Sequence, residues 1–189
     1  MRLTKPRVQP VDLDNLTADQ KEILAPMIER GRVLNVMRTL ANTPKAAKGF
    51  FAWANYVLSR RNDLPARQRE IVILRIGFLC KSGYEWTQHV EIARRSELTD
   101  EEIARVKLGA DAKGWSEPDA LLVKAADELH HTHFISDATW TKLRGHFSEK
   151  QCMDLVFTAG QYTQVSMMLN TFGVQLDPGQ TLDPDLKAF

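Results

Sequence analysis

The chain has 189 residues, enough for one domain that buries its own core without disulfides or metal. Its 25 Lys and Arg against 24 Asp and Glu leave a formal net charge of +1. That balance argues against the strongly basic face that a nucleic-acid or polybasic membrane partner would require. Apolar residues make up 43% and charged residues 26%, the proportions of a globular chain rather than a disordered one.

No apolar run reaches the roughly 18–20 residues that a membrane span needs. The stretch from Met1 to Asp14 carries Arg2, Lys5 and Arg7 with no hydrophobic segment behind them, so a secretory signal is not expected. Cys80 and Cys152 stand far apart, each in apolar surroundings. They read as small buried hydrophobes in a reducing cytoplasm rather than as a disulfide.

Helix-start signals then recur along the chain. Thr17-Ala-Asp-Gln20 has the spacing of a capping box and precedes Ile23, Leu24 and Met27, predicting a helix over 17–30. A short helical turn fits 34–41. Pro44 sits where a first-turn proline is tolerated, and the stripe Phe50, Trp53, Ala54, Val57 predicts 44–60. Pro65 opens the next segment, 65–80. Its nearly continuous apolar run, Ile71 to Cys80, would suit a strand, but no second strand exists to pair with it, so a buried helix is expected. Helices follow over 83–96, 99–110 (box Thr99–Glu102), 117–132 (stripe Leu121, Leu122, Ala125, Ala126, Leu129), 137–146 and 149–171 (box Ser148–Gln151). The tails, 1–14 and 174–189, carry most of the prolines and are expected to wrap over neighbours or hang loose. The fold class is all-α, a helical bundle, in a single domain spanning 1–189 with its core at about 45–175.

The chemistry-bearing stretch runs from Glu70 through Arg75 and on to Ser82-Gly-Tyr-Glu-Trp-Thr-Gln-His89. On a helix from 83, Glu85 and His89 are four apart and share a face. Glu70 lies on the preceding helix, which turns back near 81–83. Two carboxylates and an imidazole can therefore converge there, a set suited to moving protons near neutral pH. Two plainer readings stand beside this one. Ser82-x-x-Glu85 has the spacing of a fourth capping box, and Glu85–His89 that of an ordinary surface pair. Arg75 either pairs with a nearby carboxylate or binds a substrate carboxylate. His130, His131 and His133 suggest a metal cluster, but that spacing spreads the rings around a helix axis, and charge compensation at a helix C-terminus explains them more simply. Trp140, Tyr162, Met153, Met167 and Met168 read as core or subunit interface, with Tyr162 also able to reach the site.

The segment resembles the core motif of the carboxymuconolactone decarboxylase and alkylhydroperoxidase D superfamily, a glutamate followed at a fixed gap by Cys-x-x-Cys-x-x-x-His. Laid on this chain, the glutamate falls on Glu70, the cysteines on Ser82 and Glu85, the histidine between them on Tyr84, and the last histidine on His89. The Tyr-Glu-Trp-x-x-His form, with Ala-Ala-Asp-Glu-Leu-His130, Asp137-Ala-Thr-Trp140 and Gly160-Gln-Tyr162 downstream, is similar to the decarboxylase-like branch. With no cysteine pair, a thiol-peroxidase cycle is not expected, since it needs two sulfurs within bridging distance.

The resemblance implies an alkylhydroperoxidase D-like bundle and a lyase-type enzyme of aromatic-compound catabolism, working on a small lactone or carboxylic acid. It implies Glu70, Glu85 and His89 as acid–base groups and Tyr84, Arg75, Ser82 and Trp86 as substrate contacts. No cofactor or metal is expected. The partners are then a small-molecule substrate and further copies of the chain, as a trimer or hexamer. Two alternatives are an antioxidant protein using Cys80 as a lone thiol, and a non-catalytic ligand-binding member of the family.

Overall fold

A computed structural model describes residues 3–187. Within them the chain forms α1 (Ala18–Glu29), α2 (Asn35–Leu40), α3 (Pro44–Leu58), α4 (Ala66–Leu79), α5 (Gly83–Arg95), α6 (Asp100–Leu108), α7 (Glu117–Thr132), α8 (Asp137–His146) and α9 (Glu149–Phe172). Short 3-10 turns lie at Leu13–Asn15 and Pro184–Leu186, and no strand occurs among the described residues. The three capping boxes at Thr17, Thr99 and Ser148 form as read, each with its hydroxyl on the N3 amide and its Gln or Glu reaching back.

The nearly continuous apolar run is a helix because it is the axis of the bundle. α4 packs against α5, α6, α7 and α9, and every residue from Arg69 to Gly77 is buried. A helix covered on all sides shows no hydrophobic stripe, which is why its sequence also suits a strand. On one side Val72, Ile73 and Ile76 meet Leu122, Leu143 and Leu155 in the largest core cluster. On the other, Ile71 and Leu74 meet Trp86, Val106 and Val123.

α4 ends in a closure that aims α5. The amide of Lys81 donates to Phe78 O at 3.0 Å, the amide of Ser82 donates to Gly77 O at 2.9 Å, and Lys81 adopts a left-handed φ of 56°. This Schellman pattern reverses the chain at once. The two helices then cross closely at Gly77, where a Cβ would lie 3.3 Å from Glu85 Cγ. The absent side chain at 77 makes room for Glu85.

The described parts of the tails pack down rather than hang loose. The amides of Arg7 and Val8 donate to Phe172 O, and Leu186 is fully buried. Gly173 closes α9 at φ 69°, with Lys5 O only 2.8 Å from where its Cβ would be.

Arg75 is part of the frame. It lies five residues from Glu70, about 140° around the helix axis, and so leaves on another side. Its Nε donates to Asp127 Oδ1 at 2.5 Å, and its Nη1 donates to the carbonyls of Val106 and Lys107 at 2.8 and 3.0 Å. The guanidinium thus caps the C-terminus of α6 and ties it to α7. Arg75→Met should cost about 2–3 kcal/mol, because it leaves Asp127 and two terminal carbonyls without their donor. Urea denaturation checks this; an unchanged midpoint would contradict it.

Candidate active site

Three buried groups meet where α4 crosses α5. Glu70, Glu85 and His89 are 1%, 4% and 6% exposed. His89 Nδ1 lies 2.7 Å from Glu70 Oε2, and His89 Nε2 lies 3.0 Å from Glu85 Oε1. A carboxylate oxygen accepts and does not donate, so an imidazole with one at each nitrogen needs a proton on both. The ring is therefore a charged imidazolium held across two helices. Burial alone pulls its pKa down, but the charges of Glu70 and Glu85, and the hydrogen bonds they accept, push it up to about 10. The Tyr162 ring, from α9, stands edge-on to His89 with centroids 4.8 Å apart. Burial raises the Tyr162 phenol well above its ordinary value, and the nearby Glu85 and Glu70 add to that.

The sign of the resulting pH dependence follows from the raised imidazole. Its contribution to stability is fully present below the ordinary value of 6.5 and is lost as pH rises towards about 10. Urea midpoints taken across this window should fall for the parent protein and fall less for His89→Gln. Equal slopes for the two would contradict the charged triad.

The capping reading of Glu85 is not what forms. Ser82 is the N-cap of α5, but its side chain makes no cap bond, and its buried Oγ has no partner. Glu85 turns to His89 instead. Tyr84 and Trp86 flank Glu85 in sequence but leave the triad. Tyr84 Oη donates to Asp177 Oδ2 at 2.7 Å and accepts from the Val36 amide at 3.4 Å, so it ties α5 to the C-terminal segment. Burial, then Asp177, raises its phenol as well. Trp86 packs on Phe78 and under the Lys107 ammonium, beside a groove between α5, α6 and residues 179–184. The histidines of α7 disperse: Nδ1 of His131 faces Asp127 O at 2.7 Å and Nδ1 of His133 faces Leu129 O at 3.2 Å, while His130 faces Cys80.

The residue that sequence reasoning missed is Arg69. It is 9% exposed, its Nη atoms reach the carbonyls of Ser59 and Leu58 only at 3.4 Å, and its buried Nε has no partner. It lines a concavity of about 690 Å³ with Arg60, Asn62 and Gln151, and its charge is felt at the Tyr162 phenol. The signal was an arginine next to Glu70 inside a wholly buried helix.

Residues 44–127, from α3 into α7, match the model of the Carboxymuconolactone decarboxylase family. The whole fold is similar to solved structures. A peroxidase-related protein from Ralstonia eutropha JMP134, described as an alkylhydroperoxidase AhpD core, is 22% identical with a TM-score of 0.80, over 92% of this chain and 93% of that one. A peroxidase-related protein from Silicibacter sp. TM1040 is 17% identical with a TM-score of 0.78, over 93% and 96%. A cysteine-to-alanine variant of the debrominase Bmp8, in complex with 2,3,4-tribromopyrrole, is 11% identical with a TM-score of 0.72, over 93% and 94%. Among curated protein sequences, none matches. The matched segment, under half of the chain, is similar to that family, and the all-helical fold is the one seen in the alkylhydroperoxidase D-like structures.

Proposed function

We propose that this protein is a cofactor-free acid–base enzyme acting on a small lactone or carboxylic acid, with His89 as proton carrier and Glu70 and Glu85 as its two partners. The observation that carries the reading is the imidazole clamped at 2.7 and 3.0 Å between carboxylates from two helices. An imidazolium so held is a weak acid at rest. If a substrate group engages Glu85, the ring keeps one partner and becomes a better donor, because the charge that raised its pKa is shared. Decarboxylation, isomerisation and dehydration all need a proton delivered to or taken from carbon, and this set can supply either.

Arg75 is committed to α6 and α7, so Arg69 is the cation we assign to a substrate carboxylate. Its orphan Nε and the concavity beside it support that role, and its charge reaches the phenol of Tyr162, the ring that stands edge-on to His89. The related fold that holds a tribromopyrrole supports access for a small ring. A second copy of the chain also fits this reading. Met153, Val156 and Phe157 form an exposed stripe along α9, with Trp53 of α3 beside it. Such a stripe suits a subunit contact in a trimer or hexamer, which light scattering would reveal as a multiple of the 21.5 kDa chain mass.

The test is a panel of unsaturated lactone acids followed by proton NMR in heavy water. Turnover with deuterium entering at carbon is expected. Arg69→Gln should raise KM roughly tenfold with little change in kcat, since it removes a binding contact remote from the proton transfer. Full turnover in Glu85→Gln would overturn the assignment.

A further inference from the structure

Away from the triad, the turn between α4 and α5 brings a thiol to an imidazole. Cys80 Sγ lies 3.7 Å from Nδ1 of His130, within hydrogen-bonding reach for sulfur. The pairing joins residues 50 apart in sequence, from the end of α4 and the last turn of α7. Cys80 is half-buried, and Asn170 Nδ2 donates to its carbonyl at 2.9 Å, fixing the backbone that carries it. It also lines a concavity of about 410 Å³ with Arg7, Met167, Asn170 and Thr171. Cys152 offers the contrast: it is 1% exposed, and burial pushes its thiol up.

We propose that Cys80 and His130 form a thiol–imidazole pair that exchanges with small anionic disulfides entering the Arg7 concavity. The thiol proton passes to Nδ1 of His130 and then to solvent. The thiolate attacks one sulfur of the disulfide, a bond forms from Cys80 Sγ to that sulfur, and the original sulfur–sulfur bond breaks to release a thiolate. Cys80 is oxidised to a mixed disulfide and the departing thiol is the reduced product, so the exchange needs no other reactant. His130 suits the acceptor role. Burial first, then the charges of His131, His133 and Arg75, hold it below the ordinary imidazole value against the opposing pull of Asp127, so it is neutral at physiological pH. Arg7 selects the anion, by charge at the mouth of the concavity.

The experiment uses the intact chain and two chromogenic probes, the dianionic dithiobis(nitrobenzoate) and the neutral dithiodipyridine. In the parent, one thiol should react faster than any thiol of the urea-unfolded chain, and Cys80→Ser should remove that phase. His130→Asn or His130→Gln, whichever melts with the parent, should slow both probes roughly tenfold, by loss of the proton acceptor. Arg7→Gln should slow only the dianionic probe, by several-fold. A purely structural His130 would leave the rates unchanged in the folded variant. That result, or a Cys80 no faster than in urea, or an Arg7 variant that slows both probes alike, would overturn the proposal.

Discussion

Replacing His89 by Gln should lower turnover of a carboxylated substrate by about 10²–10⁴-fold, the range lost with a positioned general acid or base. Glutamine offers a single donor atom, its amide nitrogen, and an acceptor oxygen, where the imidazolium offers two donor nitrogens on opposite sides. Its amide nitrogen can satisfy Glu70 or Glu85, but its oxygen then faces the other carboxylate. The variant should therefore also lose about 1–3 kcal/mol of stability, as expected when a buried acceptor is left unmatched. The two effects separate by method. Turnover corrected for the folded fraction isolates the proton transfer, and urea denaturation isolates the lost contacts. An H89Q variant with parental kcat would show that the triad is structural only.

The largest stability effect is expected far from this site, at Asp154. Its carboxylate is fully buried and gathers three donors: the Tyr56 hydroxyl at 2.7 Å, the Asp63 amide at 2.7 Å and the Lys150 ammonium at 2.8 Å. These come from α3, from the loop before α4, and from one turn earlier on α9. Asp154→Ala should cost about 2–4 kcal/mol, because it removes three hydrogen bonds to one buried carboxylate at once. For a chain of this size that is a fall in Tm on the order of 10 °C. Tyr56→Phe removes one of the three bonds and should cost only about 1 kcal/mol. The acid side follows the same group. Burial raises the Asp154 carboxyl, but Lys150, Tyr56 and the Asp63 amide outweigh it and hold it below the ordinary 3.8. Its contribution is therefore present above 3.8 and is lost as pH falls through the folded-state value. Asp154→Ala should flatten the acid limb of the stability curve. A midpoint within a few tenths of a kcal/mol of the parent would refute this.

Most of the helical plan was legible because its signals are local. Capping boxes at Thr17, Thr99 and Ser148, and apolar stripes such as Leu121 to Leu129, need only neighbours in sequence to act. Ser82–Glu85 has the same spacing and fails as a box because Glu85 has a better partner, a charged imidazole one turn on. Spacing alone does not rank a backbone amide against an imidazolium. Arg75 and Arg69 show the same limit. In a helix buried on every side no polar face marks a direction, so the sequence does not tell which arginine meets α6 and which faces a concavity. The contacts of Tyr84 with Asp177, 93 residues on, and of Cys80 with His130 are set by topology, and no local pattern announces them.

The charge on His89 is the hinge of the functional reading, and nitrogen NMR reads it directly. In protein labelled at the imidazole nitrogens, both His89 nitrogens should carry protons at neutral pH and keep them until pH approaches about 10. Glu70→Gln and Glu85→Gln should each bring that midpoint down towards 6.5, the ordinary imidazole value. A His89 that titrates near 6.5 in the parent, with one bare nitrogen above it, would contradict the clamped imidazolium and the proton carrier built on it.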